Sequence, residues 1–119
     1  MKDLVTIKDF RKLDFHIGRV SSVARIEGSD KLLLLQVDMG EVVDGDAVEA
    51  VSHLRQVVAG IGKVYDPEWL VGKQVVILAN LEPRMILGVE SQGMLIAVDD
   101  DHPVLLVPEK EVRAGAVLC

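Results

Sequence analysis

The sequence predicts a small all-β barrel carrying one short helix, and three observations predict it. "KLLLLQVDM" (31–39) alternates, so that Leu33, Leu35, Val37 and Met39 share one face while Leu32, Leu34, Gln36 and Asp38 share the other. Further extended runs recur along the chain with Gly, Asp and Pro between them. A single segment, "DPEWLVGK" (66–73), carries helix start and stop signals within a few residues of each other. With 119 residues, 50% of them hydrophobic, the chain is long enough for one globular core and too short for two, so one domain over 1–119 is expected.

Each element follows from its residues. A short helical reading near Ile7–Leu13 precedes "DFHIGRVSSVARI" (14–26), a long strand in which Gly18 marks the expected bulge or bend. The alternating second strand follows. "GEVVDGDAVEAVS" (40–52) is an acidic connection, and "HLRQVVAGI" (53–61) a third strand ending at Gly60 and Gly62. In the helix, Asp66 caps, Pro67 suits the first position, Glu68 lies near the positive end and Gly72 terminates. "QVVILANL" (74–81) and "GMLIAVD" (93–99) supply two more strands, joined by "EPRMILGVESQ" (82–92). The tail 102–118 adds short extended pieces broken by Pro108 and Gly115. Three strands, a short helix and two strands is the order of a five-stranded OB-fold barrel, here with small terminal extensions around a core of about 14–99.

Composition narrows the function. The apolar runs fall far short of the roughly 20 residues of a membrane-spanning helix, and "MKDLVTIKDF" lacks the hydrophobic stretch of a signal peptide, so a soluble cytoplasmic protein is expected. Cys119 is the single cysteine, and His16, His53 and His102 are scattered, which leaves no metal-ligand pattern and no cofactor to expect. Enzyme motifs are equally absent. Ser91 stands out of step with a nucleophile elbow, "GIGK" (60–63) lacks the rest of a phosphate loop, and Asp99–Asp101 lack the alternation of a calcium loop. A non-catalytic protein is expected.

The net charge of −6 disfavours nucleic acid only until its distribution is considered. Residues 1–31 hold seven basic and five acidic side chains, and residues 54–98 hold four of each. The deficit comes from 32–53, with five acids and no base, and from 99–119, with five acids against Lys110 and Arg113. A local basic surface is therefore compatible with an acidic chain.

Four stretches carry a resemblance to a known family. "DFRKLDFHIGRV" (9–20), "EGSDKLLLLQVDMG" (27–40), "RQVVAGIGKVYDPEWLVGKQVVILANLEPR" (55–84) and "GVESQGMLIA" (88–97) closely resemble the tRNA-binding OB domain. That domain occurs at the C-terminus of many methionyl-tRNA synthetases, as a free-standing tRNA-binding protein, and in the precursor of endothelial-monocyte-activating polypeptide. The likeness departs at 41–53, where the family has a shorter connection.

The resemblance implies binding of tRNA through its folded outer corner, by a homodimer paired through its terminal segments, free-standing or as an accessory subunit of a synthetase. Lys31, Ser91 and Met94 match the family's RNA-binding face, and Arg55, Asn80, Arg84 and Gln92 match alongside. These side chains suit phosphates, 2′-hydroxyls and an exposed base. Taken alone, Ser91 and Gln92 equally suit a satisfied turn, Lys31 a solvated strand start and Met94 core packing. Only Phe10, Phe15, Tyr65 and Trp69 are aromatic, so recognition by backbone and shape is expected over base stacking. Asp44, Asp46 and Glu49 in the acidic connection would repel phosphate wherever they neared the RNA. The alternative function is that of dimeric export chaperones that bind unfolded polypeptides on a similar barrel. Those chaperones lack the SDKL and SQGM motifs that this sequence carries.

Overall fold

A computed structural model describes residues 1–42 and 51–119. The acidic residues Asp44, Asp46 and Glu49 lie outside the described residues. Strands β1 (Phe15–Arg25), β2 (Leu33–Val42), β3 (Val51–Ala59), β4 (Gln74–Leu78) and β7 (Met94–Leu95) form one antiparallel sheet in the order β3-β2-β1-β4-β7. The sheet curls into a nearly closed five-stranded barrel. Two hairpins flank it, β5 (Arg84–Ile86) with β6 (Val89–Ser91), and β8 (Ala97–Asp99) with β9 (Pro103–Leu105).

The alternation in "KLLLLQVDM" sets the core. Leu33, Leu35 and Val37 are fully buried, and Val57, Val75, Ile77 and Val20 meet them from the neighbouring strands. Fully burying each such side chain contributes about 1.5–3 kcal/mol relative to leaving it exposed. Helix α2 (Pro67–Leu70) forms as its signals predict: Asp66 accepts from the Glu68 N–H at 3.2 Å, and Leu70 is driven into the core.

Helix α1 (Ile7–Phe10) is held differently, because it buries no residue. Thr6 and Asp9 exchange capping-box bonds, with Asp9 also paired to Lys12 at 3.2 Å. The Thr6 N–H, and then Lys12, hold the Asp9 carboxyl below its usual range. This cap is intact above the ordinary carboxylate pKa and is lost as pH falls through the depressed value.

Three sequence expectations are corrected. The register break in β1 falls between Val20 and Ser22, not at Gly18. Gly18 instead permits close approach, since a Cβ there would stand 2.3 Å from Val37. The run 93–99 is split: β7 pairs with β4, while β8 turns away to pair with β9. The connection 82–92 contains the β5–β6 hairpin, whose turn places Leu87 at φ 48° and Gly88 at φ 78°, the positive pair of a tight hairpin turn. Among the described residues no helix is long and apolar enough to cross a membrane.

Candidate nucleic-acid interface

The SQG segment closes the barrel. One edge of β3 is laddered to β2, and its other edge faces 91–93 with no strand ladder across it. Side chains take the place of that ladder. The Val58 N–H donates to Ser91 Oγ at 3.0 Å, and two residues earlier the Gln56 N–H donates to Gln92 Oε1 at 3.0 Å. The Gln92 N–H donates to the Gln56 carbonyl at 2.8 Å. A strand edge presents its outward groups at every second residue, and the latch meets them at that spacing.

Neighbouring groups complete the latch. Ser91 is 5% exposed and its O–H donates to the Gly93 carbonyl at 3.0 Å, so its hydroxyl is engaged on both sides. Arg55 bridges two backbone carbonyls, those of Ala79 and Gln92, each at 2.9 Å. A Cβ on Gly93 would lie 3.0 Å from the Leu78 carbonyl oxygen and 3.2 Å from Ile77, so glycine lets 91–94 pass this close to β4.

Two grooves lie beside the latch. One, of about 70 Å³, is lined by Arg84, Ser91, Met94 and Val58, and the other, of about 320 Å³, by Arg55, Gln92, Glu90 and Leu54. Leu81 borders both. Arg84 pairs in register with Ser91, is exposed, and makes no ion pair among the described residues. Met94 is 46% exposed at the groove edge.

The structure thus brings Arg84, Ser91 and Met94 to one groove, and Arg55 and Gln92 to the next. Lys31 stands apart from both. Its side chain is exposed, its carbonyl accepts from Gly62, and Ser29 shapes its turn by accepting from the Lys31 and Leu32 N–H groups. Lys31 lies three residues before Leu34, the partner of Val58, about 10 Å along the strand from the Ser91 contact. Asn80 turns towards the N-terminal segment, accepting from the Asp14 N–H at 2.8 Å and donating to the Lys12 carbonyl at 2.6 Å.

Sequence reasoning missed Gln56, whose backbone is latched by Gln92 and whose side chain bonds to the Glu90 carbonyl and to Gln36. It also missed Leu81 and the β5–β6 hairpin. Leu-Gly is a weak turn signal beside Asn-Gly, so only the alternation on either side of it pointed to a hairpin. A groove roomier than these two, about 640 Å³, lies elsewhere, between α2 and the tail, and is lined by Trp69, Lys73, Val107 and Lys110. It holds none of the seven residues that match the family's RNA-binding face, although the aromatics Tyr65 and Trp69 line it.

Comparison with known proteins settles the family. A family model described as "Putative tRNA binding domain" matches residues 15–117. The chain belongs to the tRNA-binding domain family. Among its relatives, the methionine–tRNA ligase of Methanothrix thermoacetophila is 51% identical over 115 residues, and that of Pyrococcus horikoshii 45% identical over 115 residues. Each alignment takes in 96% of this chain but only 15% and 14% of the respective ligase, so this tRNA-binding domain spans about one seventh of those relatives. Among solved structures, a MetRS related protein from Pyrococcus horikoshii aligns with a TM-score of 0.83 at 32% identity, covering 99% of this chain and all of that one. The chaperone CsaA from Bacillus anthracis aligns with a TM-score of 0.81 at 28% identity, covering 98% of this chain and all of that one. The tRNA-binding domain family therefore shares this barrel with a protein named as a chaperone.

Proposed function

We propose that the chain binds folded tRNA, without chemistry of its own, through the rim beside the latch. Exposed Arg84 in the groove of Met94 is the observation that carries this reading, with the family match behind it. Arg84 and Lys31 meet phosphates, and Met94 offers adaptable apolar contact to a base or sugar. Ser91, Gln92 and Arg55 hold the rim in place, because their polar groups already serve the barrel. The protein acts in the cytoplasm, free-standing or as the accessory part of a methionyl-tRNA synthetase. Replacing Lys31 or Arg84 by Ala is expected to weaken binding to all tRNAs alike and to make the salt slope shallower by about one unit per contact. Mobility shifts across a salt series measure this, and unchanged slopes with folded variants would remove the rim.

A second reading has its own support. Leu54, Met85 and Leu87 are exposed near the grooves at 56%, 67% and 61%, an apolar surface that suits an unfolded polypeptide, and the CsaA likeness runs over the whole chain. Adding an unfolded polypeptide as competitor in the mobility shift separates the two. Displacement of tRNA would favour a shared surface, and indifference favours RNA alone.

The reading also includes a homodimer. Leu4, Val5 and Ile7 near one end and Val117 near the other are exposed apolar side chains, and pairing two copies through them would cover that surface. Sedimentation at micromolar concentration is expected to give twice the 13.0 kDa chain mass. A monomer there would refute it.

A further inference from the structure

We infer that the basic face of the N-terminal turn, Lys8 and Arg11 above all, is a second phosphate-binding element of the RNA site, held in register with the rim by Asn80. The inference rests on the tRNA reading and adds a contact region to it. Helix α1 has a single turn and buries nothing, so neither helix cooperativity nor the core fixes where it lies. Asn80 is a large part of what does. Its side chain spends both polar ends on the backbone of Asp14 and Lys12, and the Ala79 N–H adds a bond to the Asp14 carbonyl at 2.8 Å. The carbonyl of the same Ala79 is held by Arg55, which also holds Gln92, and Leu81, next after Asn80, borders both grooves. The N-terminal segment and the rim are thus fastened to one short stretch, 79–81.

The helix presents its cations consistently. Lys8 lies in the helix and Arg11 is its C-cap, at i and i+3 on one face, while Ile7 and Phe10 fall on another and Lys12 follows beyond the cap. Phe10 stacks on Phe15 with ring centroids 6.1 Å apart, which fixes the rotation of the turn. All three cations are exposed. Lys12 is paired with Asp9, whereas Lys8 and Arg11 make no ion pair among the described residues. An exposed pair of cations on a segment fastened to the stretch that borders both grooves fits the sugar-phosphate backbone, which rewards charge in register over a length and needs no base contact.

The test is a tRNA mobility shift over a salt series with the full chain carrying Lys8→Ala with Arg11→Ala, Asn80→Ala, both sets combined, and Arg84→Ala for reference. Thermal melts establish that each variant folds. The double variant is expected to lose roughly tenfold or more in affinity at low salt, with a slope shallower by about one to two units. Asn80→Ala is expected to weaken binding through those same cations, so the combined variant loses less than the sum of the two sets. A double variant with the parent slope, beside an Arg84→Ala slope that has changed, would overturn the inference and leave the rim standing. Unchanged slopes in both would overturn the rim as well. Additive losses in the combined variant would refute the role of Asn80.

Discussion

Gly115→Ala is expected to lower the stability of the chain by about 2–5 kcal/mol, through two effects that act together. Gly115 has φ +88°, a conformation that costs an L side chain, and its added Cβ would stand 2.3 Å from the Met39 carbonyl oxygen. That oxygen belongs to backbone and cannot swing aside as a flexible side chain would. The same approach is seen from the other strand, where a Cβ on Gly40 would meet the Ala114 carbonyl oxygen at 2.3 Å. The tail that makes the contact is laddered to β1: the Ile17 N–H donates to Ala116 at 2.8 Å, and the Leu118 N–H to Phe15 at 3.0 Å. Losing the approach therefore also loosens the covering of the first half of β1. The urea midpoint measures the cost. Gly40→Ala should give a loss of similar size, and the double variant less than their sum, because one contact is broken twice. A midpoint equal to the parent's would mean that the tail does not hold this approach in solution.

Ser91→Ala is expected to cost about 1–3 kcal/mol, the penalty for leaving a buried backbone donor without its partner. The donor is the Val58 N–H, and Val58 is itself buried. Serine's small volume matters less than its oxygen, so Ser91→Thr, which keeps the hydroxyl, should recover part of the loss. Binding of tRNA should weaken with stability, since the latch sets where Arg84 and Met94 stand, yet the salt slope should not change because no charge is removed. The two measurements together discriminate. A Ser91→Ala protein with the parent's unfolding midpoint and weakened tRNA binding would mean that the hydroxyl meets the RNA directly, as the family resemblance implies.

How much of this was legible in the sequence varies from element to element. The core-facing side of β2 was, because a period of two is a property of neighbouring residues and the barrel only had to respect it. So was α2, whose cap, first-turn proline and terminating glycine lie within a few residues. The hairpin at 84–91 was not, because Leu-Gly can turn a chain but does not demand that it turn. The division of 93–99 into two strands was equally hidden, since that run is continuous in sequence and is parted only by which neighbour each half finds.

The site divides along the same line. The sequence by itself determined that the chain forms an all-β barrel with one short helix, and through its motifs which family it belongs to. It also brought forward a set of polar residues around 31, 55, 80–84 and 91–94 as worth attention. Only the tertiary structure decided what each of them does. Ser91, Gln92, Arg55 and Asn80 have polar atoms that reach backbone groups between 24 and 68 residues away, whereas Arg84 and Lys31 keep their charges in solvent. A polar side chain in a sequence shows its hydrogen-bonding capacity but not its partner. Whether that capacity is spent inside the protein or left for RNA depends on which distant backbone group folding brings within about 3 Å.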